Sequence, residues 1–560
     1  MATEYLHIKF IDVVKKMFTV LKPYKKDISN IYFYAIVYAL IQLSLPLGIQ
    51  SIIGFVIAAE YSTSMVVLIT AVVLGVAING VLQVNQLRYI EKIQQQIFVH
   101  HAYQLADRLP QLNLKALDQH YLPELSNRFF EIPNLQKSIS KMLLDIPLAT
   151  IQILFGLLLL CFYHPVFIFF GLILLLILTT ILYFSGTKGL TTSLEESGFK
   201  YKVAAWLQET ARSIKTIRFS KGTNLHLQKT DNASKGYIQS RTEHFRILQL
   251  QYFSLIGFKV FVTAAILIVG SILLVNQQIN IGQFIAAEII ILTVLSAVEK
   301  IILQLDNIYD ALTSIEKIST VLNKPVEISG SIILDKQVKG VQISINNLFF
   351  GYSDTKPVLE NISMQVPTGA KACIHGSEGS GKSTLLKLLS GSYTGYRGNI
   401  YINDIPLHNY NLASFRARTG ILLQEQEIFE SSIYDNITLG DADIHADNII
   451  QLAKTLEIND FLQTYPNGFD TILSPNGNQL SSSDKQKILL LRCFIHQPAL
   501  LLLEDPWRHL KETTKIAIQS YILKKIPYST CIITSDDRIF SAKCDKIYTM
   551  QEGTLIVHNF

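Results

Sequence analysis

One glycine-rich stretch of this chain has the residue types and spacing of a phosphate-binding loop. It matches G-x-x-x-x-G-K-[ST], follows an apolar strand predicted over Lys371–His375 and precedes a helix that begins TLLKLLSG. Glycines let successive backbone N–H groups curl around a phosphate, and the helix adds the positive end of its dipole. The stretch therefore predicts a site for ATP and Mg²⁺ formed by Gly376, Ser377, Glu378, Gly379, Ser380, Gly381, Lys382, Ser383 and Thr384.

Two side chains of this loop have separate expected tasks. Lys382 is placed to reach the β- and γ-phosphates, whereas the hydroxyl of Ser383 is placed to ligate Mg²⁺. Both depend on the strand, loop and helix forming in that order, which is the context that the surrounding sequence predicts.

Apolar runs long enough to cross a bilayer fill the first half of the chain. A spanning helix needs about 20 mostly apolar residues, and six stretches qualify. The predicted spans lie within Ile31–Ala59, Met65–Leu87, Leu144–Tyr163, Val166–Phe184, Tyr252–Val275 and Ile281–Leu303.

The connections between these spans differ in length and charge. The first, third and fifth are short and contain no Lys or Arg, whereas the second and fourth are long, basic and helix-rich. Because basic loops stay on the cytosolic side, we expect the long loops and both termini in the cytosol. Ahead of the first span, Phe10–Leu21 predicts an amphipathic helix at the inner membrane surface.

Composition narrows the class of protein. A length of 560 residues favours two or more domains, and 49% hydrophobic with 17% charged residues is typical of a membrane protein. A net charge of +5 is mild and does not indicate nucleic-acid binding. The five cysteines show no paired spacing, which argues against a disulfide framework or a zinc site. The first residues show no cleavable signal pattern, so the spans themselves are expected to direct insertion.

The second half of the chain resembles the nucleotide-binding domain of ATP-binding-cassette (ABC) transporters. The stretch INNLFFGYSDTKPVLENISMQVPTGAK is similar to the strands that open this domain, and GILLQEQEIFESSIYDNITLG is similar to its Q-loop. The resemblance implies that Tyr352 stacks on adenine. It also implies that Gln424 ligates Mg²⁺ and senses the γ-phosphate.

With the six spans, the resemblance extends over essentially the whole chain. It implies an α-helical six-helix transmembrane domain of the ABC exporter fold, fused to an α/β P-loop NTPase domain of ABC type. The expected segments are an amphipathic segment 1–28, a transmembrane domain 29–319, a linker 320–340 and a nucleotide-binding domain 341–560. Coupling helices are expected near Ala116–Leu125 and near Val203–Ser213, the second running into ETARSIKTIRF, with ordinary cytosolic hairpins as the alternative. The stretch ILLVNQQINIGQFIAAEIIIL resembles the type I secretion and peptide-exporter branch.

The resemblance weakens at the signature, which reads LSGGQ in the family and LSSSD here. In the family this segment acts on the ATP held by the partner subunit. Ser481 is retained and is expected to act in trans, but Ser482 and Ser483 replace two glycines and restrict close backbone approach. Asp484 places an acid near a charged phosphate, so the sequence predicts a weakened signature.

Three further departures concern hydrolysis. The family's Asp-Glu pair reads Glu504-Asp505 here, so Glu504 is expected to hold Mg²⁺, and Asp505 stands in the general-base position with a side chain one methylene shorter. Losing a general base costs on the order of 10²–10⁴ in rate. Lys511 replaces an aspartate of the D-loop, and Asp536 stands where the family has its switch histidine. We therefore expect ATP to bind, and its hydrolysis to be slow or to depend on a partner subunit.

Ionisable residues in or near the fifth and sixth spans have two readings. Such groups at membrane depth usually face a cavity or one another, which makes them candidates for lining the substrate path. The alternative is that long helices carry them to the membrane boundary or into the cytosol. The residues concerned are Lys259, Glu288, Glu299 and Lys300.

The sequence as a whole predicts ATP-dependent export by a dimer, in which the chain pairs with itself or with a second half-transporter. The alternative is an ATP-binding regulatory or assembly subunit with little ATPase activity. An importer or non-transport ABC protein agrees less well with the fused membrane domain. The expected surroundings are a lipid bilayer, the inner membrane of a bacterium, with the ATP-binding domain in the cytosol. The cargo, whether peptide, protein or amphiphile, stays open.

Overall fold

The computed structural model describes residues 10–57, 63–118, 122–219, 222–353, 356–424 and 426–558. The chain divides into two compact units: unit 1 is Met1–Pro110 with His120–Lys324, and unit 2 is Gln111–Gln119 with Pro325–Phe560.

Unit 1 is built from helices, most of which are long. They are α1 (Phe10–Leu21), α2 (Lys25–Gln42), α3 (Ser44–Ile57), α4 (Thr63–Arg108), α6 (Leu122–Ser126), α7 (Glu131–Tyr163), α8 (Val166–Arg212), α9 (Ile214–Arg218), α10 (Leu225–Val275) and α11 (Ile281–Leu322), while α5 (Leu114–Leu117) belongs to unit 2. Six stretches of the described residues are helical, long and apolar enough to cross a membrane, as predicted. The connection expected at Glu60–Ser64 lies largely outside the described residues.

Local sequence accounts for the breaks between these helices. Pro46 has no N–H to donate to the carbonyl of Gln42, and the first span is accordingly divided at Leu43 into α2 and α3. His164 adopts an extended conformation ahead of Pro165, which ends α7 and starts α8. A reciprocal pair of side-chain hydrogen bonds between Asn280 and Gln283 caps the start of α11.

The apolar surface of unit 1 is divided between a core and an exposed face. Residues from α7, α8, α10 and α11 form a buried cluster that includes Leu160, Leu174, Val262 and Val294. Many large apolar side chains of the spans point outward instead, and Phe169 is 69% exposed. Exposure of so much apolar surface to water is unfavourable, so this surface is suited to contact with lipid.

Unit 2 is an α/β domain with two sheets. The larger has the order β10-β9-β3-β8-β7-β6, with only β10 antiparallel, and the smaller antiparallel sheet has the order β2-β1-β4-β5. The strands are β1 (Ile343–Phe350), β2 (Leu359–Val366), β3 (Lys371–His375), β4 (Arg397–Ile402), β5 (Ile405–Pro406), β6 (Thr419–Leu422), β7 (Leu500–Glu504), β8 (Thr530–Thr534), β9 (Lys546–Gln551) and β10 (Thr554–His558). Its helices after α5 are α12 (Lys382–Leu389), α13 (Leu412–Ala417), α14 (Ile433–Thr438), α15 (Ala446–Thr455), α16 (Asp460–Gln463), α17 (Ser482–Phe494), α18 (Glu512–Ser520) and α19 (Arg538–Ser541).

The interior strand β7 shows why this sheet needs a continuous apolar run. Leu500 and Leu502 belong to the buried cluster on one face, and Leu501 and Leu503 belong to the cluster on the other. Successive side chains of a strand point to opposite faces, so a parallel strand covered on both sides is apolar throughout. The run ends at Glu504, which brings the first acid to the carboxyl edge of the sheet.

Candidate functional site

The phosphate loop has the predicted strand–loop–helix context, with β3 before it and α12 after it. Gly381 precedes the helix with φ of 103°, and Gly376 has φ of 148°. A Cβ at Gly376 would lie 2.2 Å from the carbonyl oxygen of Met550. Glycine is therefore required at Gly376 for space as well as for its backbone conformation.

Three polar groups meet where this loop enters α12. The Nζ of Lys382 donates to the carbonyl oxygens of Gly376 and Ser377, the second at 2.9 Å. The hydroxyl of Ser383 donates to Oε1 of Glu504, although 121 positions separate the two residues. A hydroxyl beside a carboxylate is a pair of oxygen ligands that Mg²⁺ accepts.

The same loop contains a buried hydroxyl that lacks a hydrogen bond. Oγ of Ser380 has no partner among the described residues. The loop lines a cavity of about 900 Å³ together with Gln424, Glu504, Asp505 and Asp536. A buried donor without a partner, a lysine and oxygen ligands in one cavity fit the phosphates of ATP with Mg²⁺.

The acidic residues expected to act in hydrolysis collect at the carboxyl edge of the sheet. β8 lies between β3 and β7, which brings Glu504 beside Thr534 in register. The backbone N–H of Gln424 donates to Glu504 at 2.9 Å, and the side-chain Nε2 of Gln424 donates to Oδ2 of Asp505 at 3.1 Å.

Asp505 lies in an electrostatically unfavourable position. Partial burial raises the pKa of its carboxyl group, and the negative charges of Glu504 and Asp536 raise it further, while Lys382 and Arg508 oppose this shift. Its φ of 41° is in the left-handed region, which an aspartate tolerates better than most residues. Asp536 lines the same cavity and is itself exposed.

Tyr352 lies close to the loop, as the resemblance implies. Its hydroxyl is 3.2 Å from Oγ1 of Thr384, and its side chain is 37% exposed. The ring makes edge-to-face contacts with Phe350 and Tyr393, with centroids 5.2 and 5.5 Å away. These contacts orient the ring, so an aromatic surface is available near the phosphate loop.

Ser481 is placed apart from this cavity, at the N-terminal end of α17. Its hydroxyl accepts a hydrogen bond from the backbone N–H of Asp484 at 3.0 Å and donates to Oδ2 of Asp484 at 2.8 Å. The carboxylate of Asp484 also lies 3.3 Å from Nζ of Lys487. Because an acid in the first turn already stabilises the helix dipole, this end of α17 is less suited to a second anion.

Several cavity residues were not identified from the sequence. Trp507 donates from Nε1 to Oγ of Ser535 at 3.1 Å and packs against Phe540 with ring centroids 4.8 Å apart. Arg508 adds a cation to the same cavity. Both residues belong to the segment PWRHLK, which replaces the family's D-loop and is the sequence signal for them. Lys511 itself precedes α18 and is not among the residues that line the cavity.

The first predicted coupling segment is divided between the two units: residues 116–118 belong to unit 2, and residues 122–125 belong to unit 1 as part of α6. Helix α5 lies between two contacts with the loop after α12: Asn113 to Thr394 at 3.4 Å, and the carboxylate of Asp118 to the hydroxyl of Tyr393 at 2.8 Å. Residues 119–121 of the predicted range lie outside the described residues.

The second predicted coupling segment, near Val203–Ser213 and running into ETARSIKTIRF, contains two elements of the structure. Val203–Arg212 is the end of α8, and the short separate helix is α9. The hydroxyl of Ser213 donates to the carbonyl of Glu209 at 2.6 Å where the long helix stops. This side-chain bond competes with continuation of the helix and shifts the break towards the C-terminus.

The ionisable residues of the fifth and sixth spans include one ion pair. Nζ of Lys259 on α10 lies 2.5 Å from Oε2 of Glu299 on α11, and both side chains are partly buried. Glu288 and Lys300 are half-buried. Lys259 and Glu299 therefore neutralise each other, and the presence of these two charges does not require contact with a cargo.

Comparisons with known proteins agree with both units. The family model of the ABC transporter transmembrane region matches residues 28–298, and that of the ABC transporter matches residues 359–508. A probable ABC transporter ATP-binding/permease protein of Haemophilus influenzae is 30% identical over 291 residues, which are 52% of this chain and 52% of that protein. The microcin-J25 export ATP-binding/permease protein of Escherichia coli is 30% identical over 299 residues, 52% of this chain and 51% of that protein.

These alignments span about half the length of the curated relatives. A solved structure of a bacterial Atm1-family ABC exporter with ATP bound matches 95% of this chain and 94% of that chain, with a TM-score of 0.83 and 18% identity, which shows the fold. The paired family matches, the six spanning helices and the phosphate loop lead to one assignment. The chain belongs to the ABC transporters and joins one transmembrane region to one ATP-binding domain in the fold of an ABC exporter.

Proposed function

We propose that this chain exports a cargo from the cytosol as one half of a dimeric transporter, and that ATP binding drives the switch between inward- and outward-facing states. The observation that supports ATP use is the meeting of Lys382, Ser383 and Glu504 in one cavity. The fused membrane unit supports transport, because closure of two ATP-binding domains would move the attached helices.

The proposed roles follow the placement of the residues. The loop Gly376–Thr384 holds the phosphates, Tyr352 stacks on adenine, and Ser383, Glu504 and Gln424 hold Mg²⁺. Asp505 acts as a shortened base, Asp536 stands in for the switch histidine, and Ser481 faces the partner's ATP. We further propose segments 1–28, 29–319, 320–340 and 341–560 as the functional parts, in a bacterial inner membrane.

A regulatory or assembly subunit with little hydrolysis is the second candidate. The contacts of Asp484 with Ser481 and Lys487 favour it, since they occupy the helix end that would face the partner's γ-phosphate.

ATP binding and hydrolysis by the purified full-length chain in nanodiscs separate these functions. We expect ATP to bind to the wild type, to be hydrolysed slowly, and not to bind to Lys382→Ala. If the wild type binds ATP but turns over no faster than Lys382→Ala, the self-sufficient exporter is excluded and the regulatory function is favoured. If ATP binds equally to both, the proposed site is wrong.

A further inference from the structure

A second cavity of the ATP-binding unit lies beside the edge strand β6. It has a volume of about 540 Å³, within the range of small-molecule sites. Its walls come from the segment before β1, from α13 with β6, from Leu439 and Asp441, and from the end of α17. None of its lining residues lines the cavity of the phosphate loop.

Positive charge in this cavity exceeds negative charge. Arg416 is paired with Glu327, with Nη1 to Oε2 at 2.8 Å, and Nδ1 of His496 lies 3.4 Å from Oδ2 of Asp441. Other cations on the wall have no carboxylate partner among the described residues; these are Lys336, Arg418 and Arg492.

Arg492 is the most enclosed of these cations. Its Nε donates to the carbonyl of Asn436 at 2.7 Å and its Nη1 to the carbonyl of Glu427 at 3.3 Å. Burial without an opposing carboxylate lowers the pKa of its guanidinium to about 10. An enclosed cation held only by neutral carbonyls is costly, and a nearby anion would reduce that cost.

Two polar atoms on the cavity wall lack hydrogen bonds. Arg418 donates from Nη2 to the carbonyl of Val338 at 2.7 Å, but its buried Nε has no partner among the described residues. Gln426 lines the same cavity, and its buried Oε1 has no hydrogen-bond partner among the described residues. Rotation of that amide would present its NH₂ group instead, so both residues have a donor to offer.

We propose that this cavity binds a small, multiply charged anion, and that its ligand is a phosphate ester held by Lys336, Arg418 and Arg492. Ile333 and Leu439 line the same cavity and are 73% and 59% exposed, which offers an apolar surface for the remainder of the ligand. Arg492 also donates to the carbonyl of Glu427, and Gln426 lines the cavity. The ligand would therefore lie beside the segment that follows Gln424. This site is additional to the proposed ATP site and does not depend on it.

Inorganic pyrophosphate is the probe, titrated calorimetrically into the full-length chain in detergent. The Lys382→Ala variant provides the background, because it removes the main cation of the phosphate loop. We expect one binding event to remain in that variant, to weaken at least tenfold on adding Lys336→Glu and to vanish on adding Arg418→Gln. Adding Lys524→Gln, which removes an exposed lysine outside both cavities, should leave it unchanged.

Three results would overturn the proposal. One is the absence of pyrophosphate binding to the Lys382→Ala chain, and another is binding that neither second substitution weakens. The third is tighter binding of citrate than of pyrophosphate, which would assign the cavity to carboxylates. Melting temperatures identify a misfolded Arg418→Gln variant, in which case Lys336→Glu, a change at an exposed position, decides the outcome.

Discussion

Asp505 combines a short side chain with a difficult environment. It follows the last residue of β7 with a left-handed backbone, lies within 3.1 Å of Nε2 of Gln424 and faces two other carboxylates. General-base catalysis requires hydrogen-bond contact with the attacking water, at about 2.6–3.2 Å. A carboxylate one methylene further from the backbone would extend towards that position.

We therefore expect Asp505→Glu to raise ATP turnover by at least about tenfold, within the range that a general base contributes. Steady-state phosphate release by the full-length chain measures the effect, with Asp505→Asn as the matched control that keeps the shorter length without the base. Unchanged turnover in Asp505→Glu would show that a step other than base catalysis is limiting.

The acid limb of the pH–rate profile should report the raised pKa of Asp505. Activity that depends on the ionised carboxylate should fall as pH falls, with a midpoint above the ordinary aspartate pKa of about 3.9. Asp536→Asn removes a negative neighbour, which lowers the pKa of Asp505 and should move the acid limb to lower pH. A midpoint that moves upward or stays fixed would contradict this electrostatic account.

At the scale of elements, the contact between α5 and the loop after α12 is the clearest candidate for coupling. The hydrogen bond from Tyr393 to Asp118 joins residues 275 positions apart within unit 2. A hydrogen bond to a charged group contributes about 1.5–3 kcal/mol. It therefore contributes to holding α5 on the loop after α12, although the exposure of Asp118 reduces this contribution.

Asp118→Ala should reduce the response of the membrane helices to ATP while leaving ATP affinity within about twofold. The measurement is the change in distance between spin labels on the membrane helices on adding ATP, recorded beside ATP affinity. Asp447→Ala, which removes an exposed acid from the first turn of α15, is the control. A full conformational response in Asp118→Ala would exclude a coupling role for this contact.

At the scale of the whole molecule, the proposed dimer shares each ATP site between two chains. Ser481, at the start of α17, is not among the residues that line the cavity of its own phosphate loop. A defect in LSSSD would then affect the partner's ATP and not its own. In a homodimer, both ATP sites would contain every departure from the family's motifs.

Mixed dimers of two tagged copies test this sharing. Restoring LSGGQ with Ser482→Gly, Ser483→Gly and Asp484→Gln on a chain that also carries Lys382→Ala should raise ATPase by the intact loop of the other chain. The same restoration on the chain with the intact loop, opposite a Lys382→Ala partner, should have no effect. Equal activity of the two arrangements would rule out action in trans.

The order of the spans and the position of the phosphate loop were determined by the sequence alone, because both are local signals. About twenty consecutive apolar residues indicate a spanning helix. The pattern G-x-x-x-x-G-K-S after an apolar strand indicates the turn and the helix start that follow it. The helix Phe10–Leu21 and the strand Lys371–His375 were predicted with their observed bounds for the same reason.

Contacts between distant residues were decided only by the tertiary structure. Ser383 meets Glu504 because β8 is inserted between β3 and β7 in a parallel register, which no local pattern specifies. The attachment of α5 to Tyr393 likewise depends on how the chain returns to unit 2. The sequence could show that the order of Glu504 and Asp505 is exchanged relative to the family. The environment that raises the pKa of Asp505 arises from three chain segments that the sheet brings together.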